Sequence, residues 1–181
     1  MMIVVQEYDP IWKTHFETLS SMLREATWND IVIEHVGSTS VPGLASKPII
    51  DIDIIVSRDK VDAAIDSLSV IGYEHRGNLG IEGREAFFHP KDVDINHHLY
   101  VCIEGMEAVR NHIILRDHLR SHPKSVERYG SLKMKLAQDF PNDIDSYISG
   151  KTSLITELLS IGGMTTKEIS SIEAINRIEH A

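Results

Sequence analysis

The sequence holds a single cysteine, Cys102, so no intrachain disulfide can form and a Cys-rich structural zinc site is excluded. No stretch approaches the ~20 apolar residues of a membrane span. The opening MMIVVQEYDPIW has neither the apolar length nor the basic start of a secretory leader. Basic charge is scarce as well: 18 Lys plus Arg against 27 Asp plus Glu give a net charge of −9. A field of that sign opposes a long phosphate backbone, so extended nucleic acid is an unfavourable partner, while a local basic pocket stays open. A P-loop, a dinucleotide-binding fingerprint, internal repeats and low-complexity tracts are all missing. The reading is a cytoplasmic chain with no membrane partner. At 181 residues it suits one compact domain with at most a short appendage. Its 42% hydrophobic and 25% charged residues are ordinary for a globular protein. A chain of this size buries ~70% of its unfolded surface, enough to fold without a covalent staple.

The pattern along the chain predicts an α+β fold. Asp9 suits an N-cap and Pro10 a first helical position, and Trp12, Phe16, Leu19 and Leu23 recur at helical spacing up to about Ala26. The run 31–36 reads as a strand, followed by a Ser, Gly and Pro-rich loop to Pro48 and a second strand over 49–56. A helix over 59–71 closes at Gly72. Short strands are expected between Tyr73 and Gly105, the most definite over 93–101, where Asp94, Asn96, His98 and Tyr100 would share a face. Helices follow at about 107–120, 124–139 and 142–161. After Gly162-Gly163, Thr165 and Glu168 form a capping box, and Ile169, Ile172, Ile175 and Ile178 form one stripe. That stripe can pack on the domain, the favoured reading, or on a second copy in a homodimer.

The strongest chemical signal is Gly37-Ser38 followed by Asp51-Ile52-Asp53. Residues i and i+2 of a strand point the same way, so two carboxylates converge against an apolar background. Their repulsion is relieved by a hard divalent cation, which typically sits on one or two carboxylates plus substrate phosphates. Gly37, Ser38, Thr39 and Ser40 are small enough for backbone N–H groups and hydroxyls to approach a phosphate. The plainer reading is a half-exposed strand with two surface aspartates. Against it, Asp is depleted in strands, and Ile49, Ile50, Ile54, Ile55 and Val56 are too apolar for an exposed edge.

Six of the ten histidines fall between His89 and His122. His98 or Asp94 is a candidate third ligand, and an ordinary half-exposed polar face is the equal alternative. For His97, on the opposite face, a structural role is expected. Arg116 and Arg120 are one helical turn apart, as are Tyr129 and Lys133. They are candidates for clamping phosphates, although such a series is more often a solvated face. Arg84 carries the same ambiguity.

The stretch HVGSTSVPGLASKPIIDI over 35–52 resembles the GrpB-like family. It stands in the order expected of that family with YDPIW over 8–12, GIEGR over 80–84, HHL over 97–99, LRDHLR over 115–120 and YGSLK over 129–133. The resemblance implies a nucleotidyltransferase-like mixed β-sheet flanked by helices over residues 1–161, with 162–181 as a C-terminal helical appendage. It implies transfer of a nucleoside monophosphate from a nucleoside triphosphate to an unknown small-molecule or protein acceptor. Asp51 and Asp53 would be catalytic and would hold Mg²⁺ or Mn²⁺, with His98 as a further ligand. Gly37, Ser38, Thr39, Lys47, Arg84, Arg116, Arg120 and Lys133 would bind the nucleotide phosphates. The sequence departs from the family where a second histidine is commonly found, at Tyr100, and offers no carboxylate at the place of the superfamily's third. A nucleotide-binding module without turnover is therefore the alternative, with a His-rich metal-dependent phosphoesterase behind it.

Overall fold

A computed structural model describes the backbone of residues 2–178 and the side chains of residues 2–173. The first helix, α1 (Ile11–Ala26), starts as its sequence predicts, with Asp9 Oδ1 accepting from the Ile11 N–H at 2.9 Å. Strands β1 (Val32–Val36) and β2 (Ile50–Val56) pair antiparallel across the Gly-Ser loop, which tightens into a short 3-10 turn at Ser38–Ser40. Helix α2 (Val61–Val70) is preceded by a 3-10 turn at Arg58–Lys60. Strands β3 (Glu74–His75), β4 (Arg84–Phe88) and β5 (His97–Ile103) complete a five-stranded sheet of order β1-β2-β5-β4-β3. Helices α3 (Glu107–Ser121), α4 (Pro123–Asp139), α5 (Ile144–Ile161) and α6 (Thr166–Ile178) follow.

The strand alternation separates core from chemistry. Ile50, Ile52 and Ile54 of β2, with Leu99 and Val101 of β5, pack under α1 and α2 against Trp12, Leu23 and Leu68. Leu23, Ile52 and Leu68 are wholly enclosed, each contributing roughly 1.5–3 kcal/mol of apolar transfer. The opposite sheet face carries Asp51, Asp53, His98 and Tyr100; α3 of the helical half packs over its Asp53 end, while His98 stays exposed. Two further cores tie that half down. Val41 and Leu44 of the loop pack with Leu119, Tyr129, Leu154 and Leu158, and Ile3 packs with Leu136 and Tyr147.

The fifth strand begins at His97 rather than at residue 93. Parallel pairing with β2 starts at Ile50 opposite His97, preceded by a single bond from the Ile50 N–H to the Asn96 carbonyl at 3.0 Å. Val93 and Ile95 pack against the main core from a loop, so their apolar spacing reflects burial without a ladder. Asp94 is exposed in that loop, and strand alternation does not place it beside the aspartates. The capping box at α6 forms, with the Thr165 N–H donating to Glu168 Oε2 at 2.8 Å and the Glu168 N–H donating to Thr165 Oγ1 at 3.4 Å. Ile172 is buried with Leu159 and Met164, and Ile169 packs alongside, so the described part of the isoleucine stripe faces its own chain. The side chains of Ile175 and Ile178 lie outside the described residues.

Candidate functional site

Parallel pairing sets Asp51 opposite His98 and Asp53 opposite Tyr100. His98 Nδ1 lies 2.9 Å from Asp51 Oδ1. From α3, a residue the sequence reading passed over, His112, brings its Nδ1 to 2.7 Å from Asp53 Oδ2. Burial opposes the charged form of His112, but the adjoining Asp53 carboxylate outweighs it and the net direction is upward. Asp53 is fully buried, and its other oxygen, Oδ1, has no hydrogen-bond partner among the described residues. Beside it lies the Cys102 thiol, pushed well up by burial first and by the Asp53 charge second. The half-buried Tyr100 is pushed up to about 12, by burial first and the Asp51 charge second, against the opposing Arg84.

Gly37 is in the left-handed region at φ +67°, and a Cβ there would fall 2.0 Å from Asp51 Oδ2. Only glycine lets the loop come this close to the carboxylate. In a 3-10 turn successive side chains are rotated by about 120°, so neighbours in the motif part company. Ser38 lines a pocket of about 200 Å³ together with Asp51, His98, Lys47, Lys133 and Lys151. Thr39 is buried, donating to the Ile49 carbonyl at 3.1 Å and accepting from His35 Nε2 at 3.1 Å. Its hydroxyl is spent on holding the loop and does not reach that pocket.

The 200 Å³ pocket is strongly cationic. Lys133 is only 2% exposed and its ammonium has no hydrogen-bond partner among the described residues. It lies 4.5 Å from the centre of the Tyr129 ring, one helical turn earlier on α4. On α5, Lys151 stands in the same relation to Tyr147, also at 4.5 Å, and Lys47 approaches that ring from the loop at 5.7 Å. Burial, and then Lys151, pulls Lys133 well below its ordinary value. Burial, and then Lys47, pulls Lys151 down to about 8. A cluster of ammonium groups facing a single carboxylate is short of negative charge, and a buried ammonium without a partner is costly. Lys151 escaped the sequence reading, although the spacing Tyr147 to Lys151 repeats that of Tyr129 to Lys133.

The arginines are placed elsewhere. Arg116 is buried and donates to Glu34, Asp117 and the His35 carbonyl, which anchors α3 to β1. Arg120 donates to the Ser40 carbonyl through Nε at 3.1 Å and Nη2 at 2.8 Å, bracing the loop from behind. Arg84 stacks on Tyr100 at 4.6 Å, on the Asp53 side, with its Nε buried and without a hydrogen-bond partner among the described residues. His97 has the structural role its position suggests: its Nδ1–H donates to the Ile95 carbonyl and its Nε2 accepts from Tyr73 at 2.6 Å.

No group of three or more His, Cys, Asp or Glu side chains disposed to hold a metal occurs among the described residues. The donor set still fits a hard cation. Two carboxylates two residues apart, one with an orphaned buried oxygen, beside a pocket able to hold phosphates, match the partial protein shell such an ion takes.

The chain is similar to known proteins. Residues 2–160 match the family model described as GrpB protein. YqkA of Bacillus subtilis is 35% identical over 150 residues, covering 82% of this chain but 43% of that protein. The chain thus spans less than half of that relative. Glutamate-rich protein GrpB of Alkalihalophilus pseudofirmus is 30% identical, with 87% of this chain and 94% of that one covered. The crystal structure of GrpB from Enterococcus faecalis superimposes with a TM-score of 0.78 at 34% identity, covering 88% and 96% of the two chains. Cid1 poly(U) polymerase superimposes with a TM-score of 0.50 at 13% identity, over 82% of this chain and 50% of that one. The latter likeness is one of fold, and the mixed sheet with its flanking helices is nucleotidyltransferase-like. Among the described residues no helix is long and apolar enough to cross a membrane.

Proposed function

The chain belongs to the GrpB family, and from that premise we propose that it moves a nucleoside monophosphate from a nucleoside triphosphate to a small-molecule or protein acceptor. The observation that carries this reading is Asp51, two residues from Asp53 on β2, lining one pocket with Lys47, Lys133 and Lys151, so that a cation held by the aspartates would lie next to bound phosphates. Asp51 and Asp53 would hold Mg²⁺ or Mn²⁺. When bound, such an ion neutralises phosphate charge and stabilises the attacking and leaving oxygens of an in-line displacement.

The chain's own residues then divide the work. Ser38 and the backbone around Gly37 line the approach to Asp51. Lys47, Lys133 and Lys151 neutralise the outer phosphates, and their charge favours departure of pyrophosphate as the bond from the α-phosphorus to the bridging oxygen breaks. The acceptor hydroxyl oxygen forms the new bond to that phosphorus, and its proton passes to the surrounding water. His112 holds Asp53 in a fixed rotamer through its 2.7 Å contact. Tyr100 standing opposite Asp53 supports a second reading, a module that binds nucleotide without turnover, because β5 brings no third carboxylate to that face.

The test is thermal stabilisation by ATP, GTP, CTP and UTP, each with and without Mg²⁺ or Mn²⁺, followed by pyrophosphate release. A ligand at 100 times its Kd adds ~2.7 kcal/mol. Stabilisation that needs both nucleotide and metal, and is lost in Asp53→Asn, supports the site. Pyrophosphate release separates the enzyme from the binding module, and no shift with any triphosphate overturns both.

A further inference from the structure

A second cavity, about 760 Å³, opens on the other flank of the 38–40 turn and shares no lining residue with the lysine pocket. Its walls come from α1, the loop and the corner between α3 and α4. Tyr8, Phe16, Pro42, Leu119 and Val126 make it largely apolar. Phe16 and His35 stack within 9° of parallel at 4.6 Å, giving one wall a flat aromatic surface. His35 is committed to Thr39 through Nε2.

Three charged side chains line the cavity: Lys13, Glu17 and Arg120. The first two are exposed on α1 and lie 3.8 Å from each other, so their charges largely cancel. Arg120 is exposed too, with Asp117 and Glu34 acting on its charge alongside Arg116, but its position is fixed. The Ser40 carbonyl fixes it through Nε and Nη2, and its Nη1 has no hydrogen-bond partner among the described residues. An immobilised guanidinium with a free N–H pair at the edge of an apolar hollow is prepared for one anionic oxygen group. The volume falls within the ~300–1,000 Å³ typical of small-molecule sites, which are mostly apolar with a few placed polar groups. A polyphosphate does not suit it, since beyond the Lys13–Glu17 pair its lining offers one guanidinium where the lysine pocket offers three ammonium groups.

We propose that this cavity is a second ligand site, distinct from the proposed transfer site, for a flat and mainly apolar small molecule bearing a single carboxylate or similar anion held by Arg120. Thr39 and Arg120, which the sequence motif groups with the phosphate binders, serve this site and the loop between the two.

The test uses anilinonaphthalene sulfonate as a fluorescent probe on the full chain, displaced by naphthoate or by its uncharged amide. The expected results are saturable binding, displacement by naphthoate, and weaker displacement by the amide. Arg120→Gln should weaken naphthoate about tenfold, the ratio for one lost charge-assisted hydrogen bond, and leave the amide unchanged. Glu17→Gln, at an exposed position, should tighten naphthoate about twofold by removing a like charge. Melting curves establish that both variants are folded. If Arg120→Gln fails to fold, the opposite sign expected of Glu17→Gln decides alone. No saturable probe binding, or equal affinity for naphthoate and amide in the unaltered chain, overturns the proposal.

Discussion

The two cavities flanking the 38–40 turn differ in nearly every physical respect. One is small, about 200 Å³, and lined by Asp51 and three lysines; the other is about 760 Å³ and walled by aromatic and aliphatic side chains with one guanidinium fixed at its edge. A single short turn separates them, and its tight winding sends Ser38 to the first and Thr39 and Ser40 to the second. A contiguous motif is therefore not a contiguous site. The polar pocket depends on close backbone approach, the apolar one on packing and a braced arginine.

Two glycines break that comparison most sharply. Gly37 and Gly43 both have positive φ, +67° and +81°, but a Cβ at Gly37 would strike Asp51 whereas one at Gly43 meets nothing within 4 Å. Gly37→Ala should cost about 3–4 kcal/mol, the sum of a left-handed backbone and a steric clash. Gly43→Ala should cost only the backbone share, about 1 kcal/mol. Denaturant unfolding of both variants decides, and equal losses would mean that Asp51 swings aside freely.

On the apolar flank, burial holds His35 down to about 4 from an ordinary 6.5, with partial relief from Asp51. The unfolded chain takes up this proton first on acidification. Stability should therefore be fully present above about pH 6.5 and fall as the pH drops toward 4, by up to about 3 kcal/mol. Urea unfolding at pH 7 and pH 4.5 should show most of that slope vanish in His35→Gln, which keeps a donor for Thr39. An unchanged slope would assign the acid sensitivity to other groups.

On the polar flank, the partnerless ammonium of Lys133 destabilises the free protein. Lys133→Met should raise stability by about 1–2 kcal/mol while reducing stabilisation by pyrophosphate. A variant both less stable and still responsive to pyrophosphate would contradict the anion-site reading. The smallest effect concerns Lys151, pulled down to about 8. Bound anion restores its proton, so pyrophosphate affinity should fall about fivefold from pH 7.5 to pH 9, with proton uptake seen by calorimetry in buffers of differing ionisation enthalpy. Lys151→Arg should flatten that profile.

Much of this was legible in the chain. The spacing of Trp12, Phe16, Leu19 and Leu23 and the Asp9-Pro10 start are local signals, and α1 follows them to Ala26. The i and i+2 aspartates of β2 share the face that strand geometry requires. His98 meets Asp51 because parallel pairing aligns them. The strand over 93–101 was misplaced by four residues at its start, since apolar alternation at Val93 and Ile95 marks packing as readily as pairing. Arg116 and Arg120 kept their predicted helical face, but β1 and the loop carbonyl claimed their donors first.

By itself, the sequence determined most element types, the burial of one sheet face and the shared face of Asp51 and Asp53. All of these follow from rules acting within a few residues. Only the tertiary structure decided which distant groups complete the site. His112 reaches Asp53 across 59 positions of chain, and Lys47, Lys133 and Lys151 meet because α4 and α5 fold back over the loop. Electrostatic and hydrogen-bonding roles are set by neighbours in space. A lysine left without a partner and an arginine fixed by a carbonyl have no distinguishing mark in one dimension.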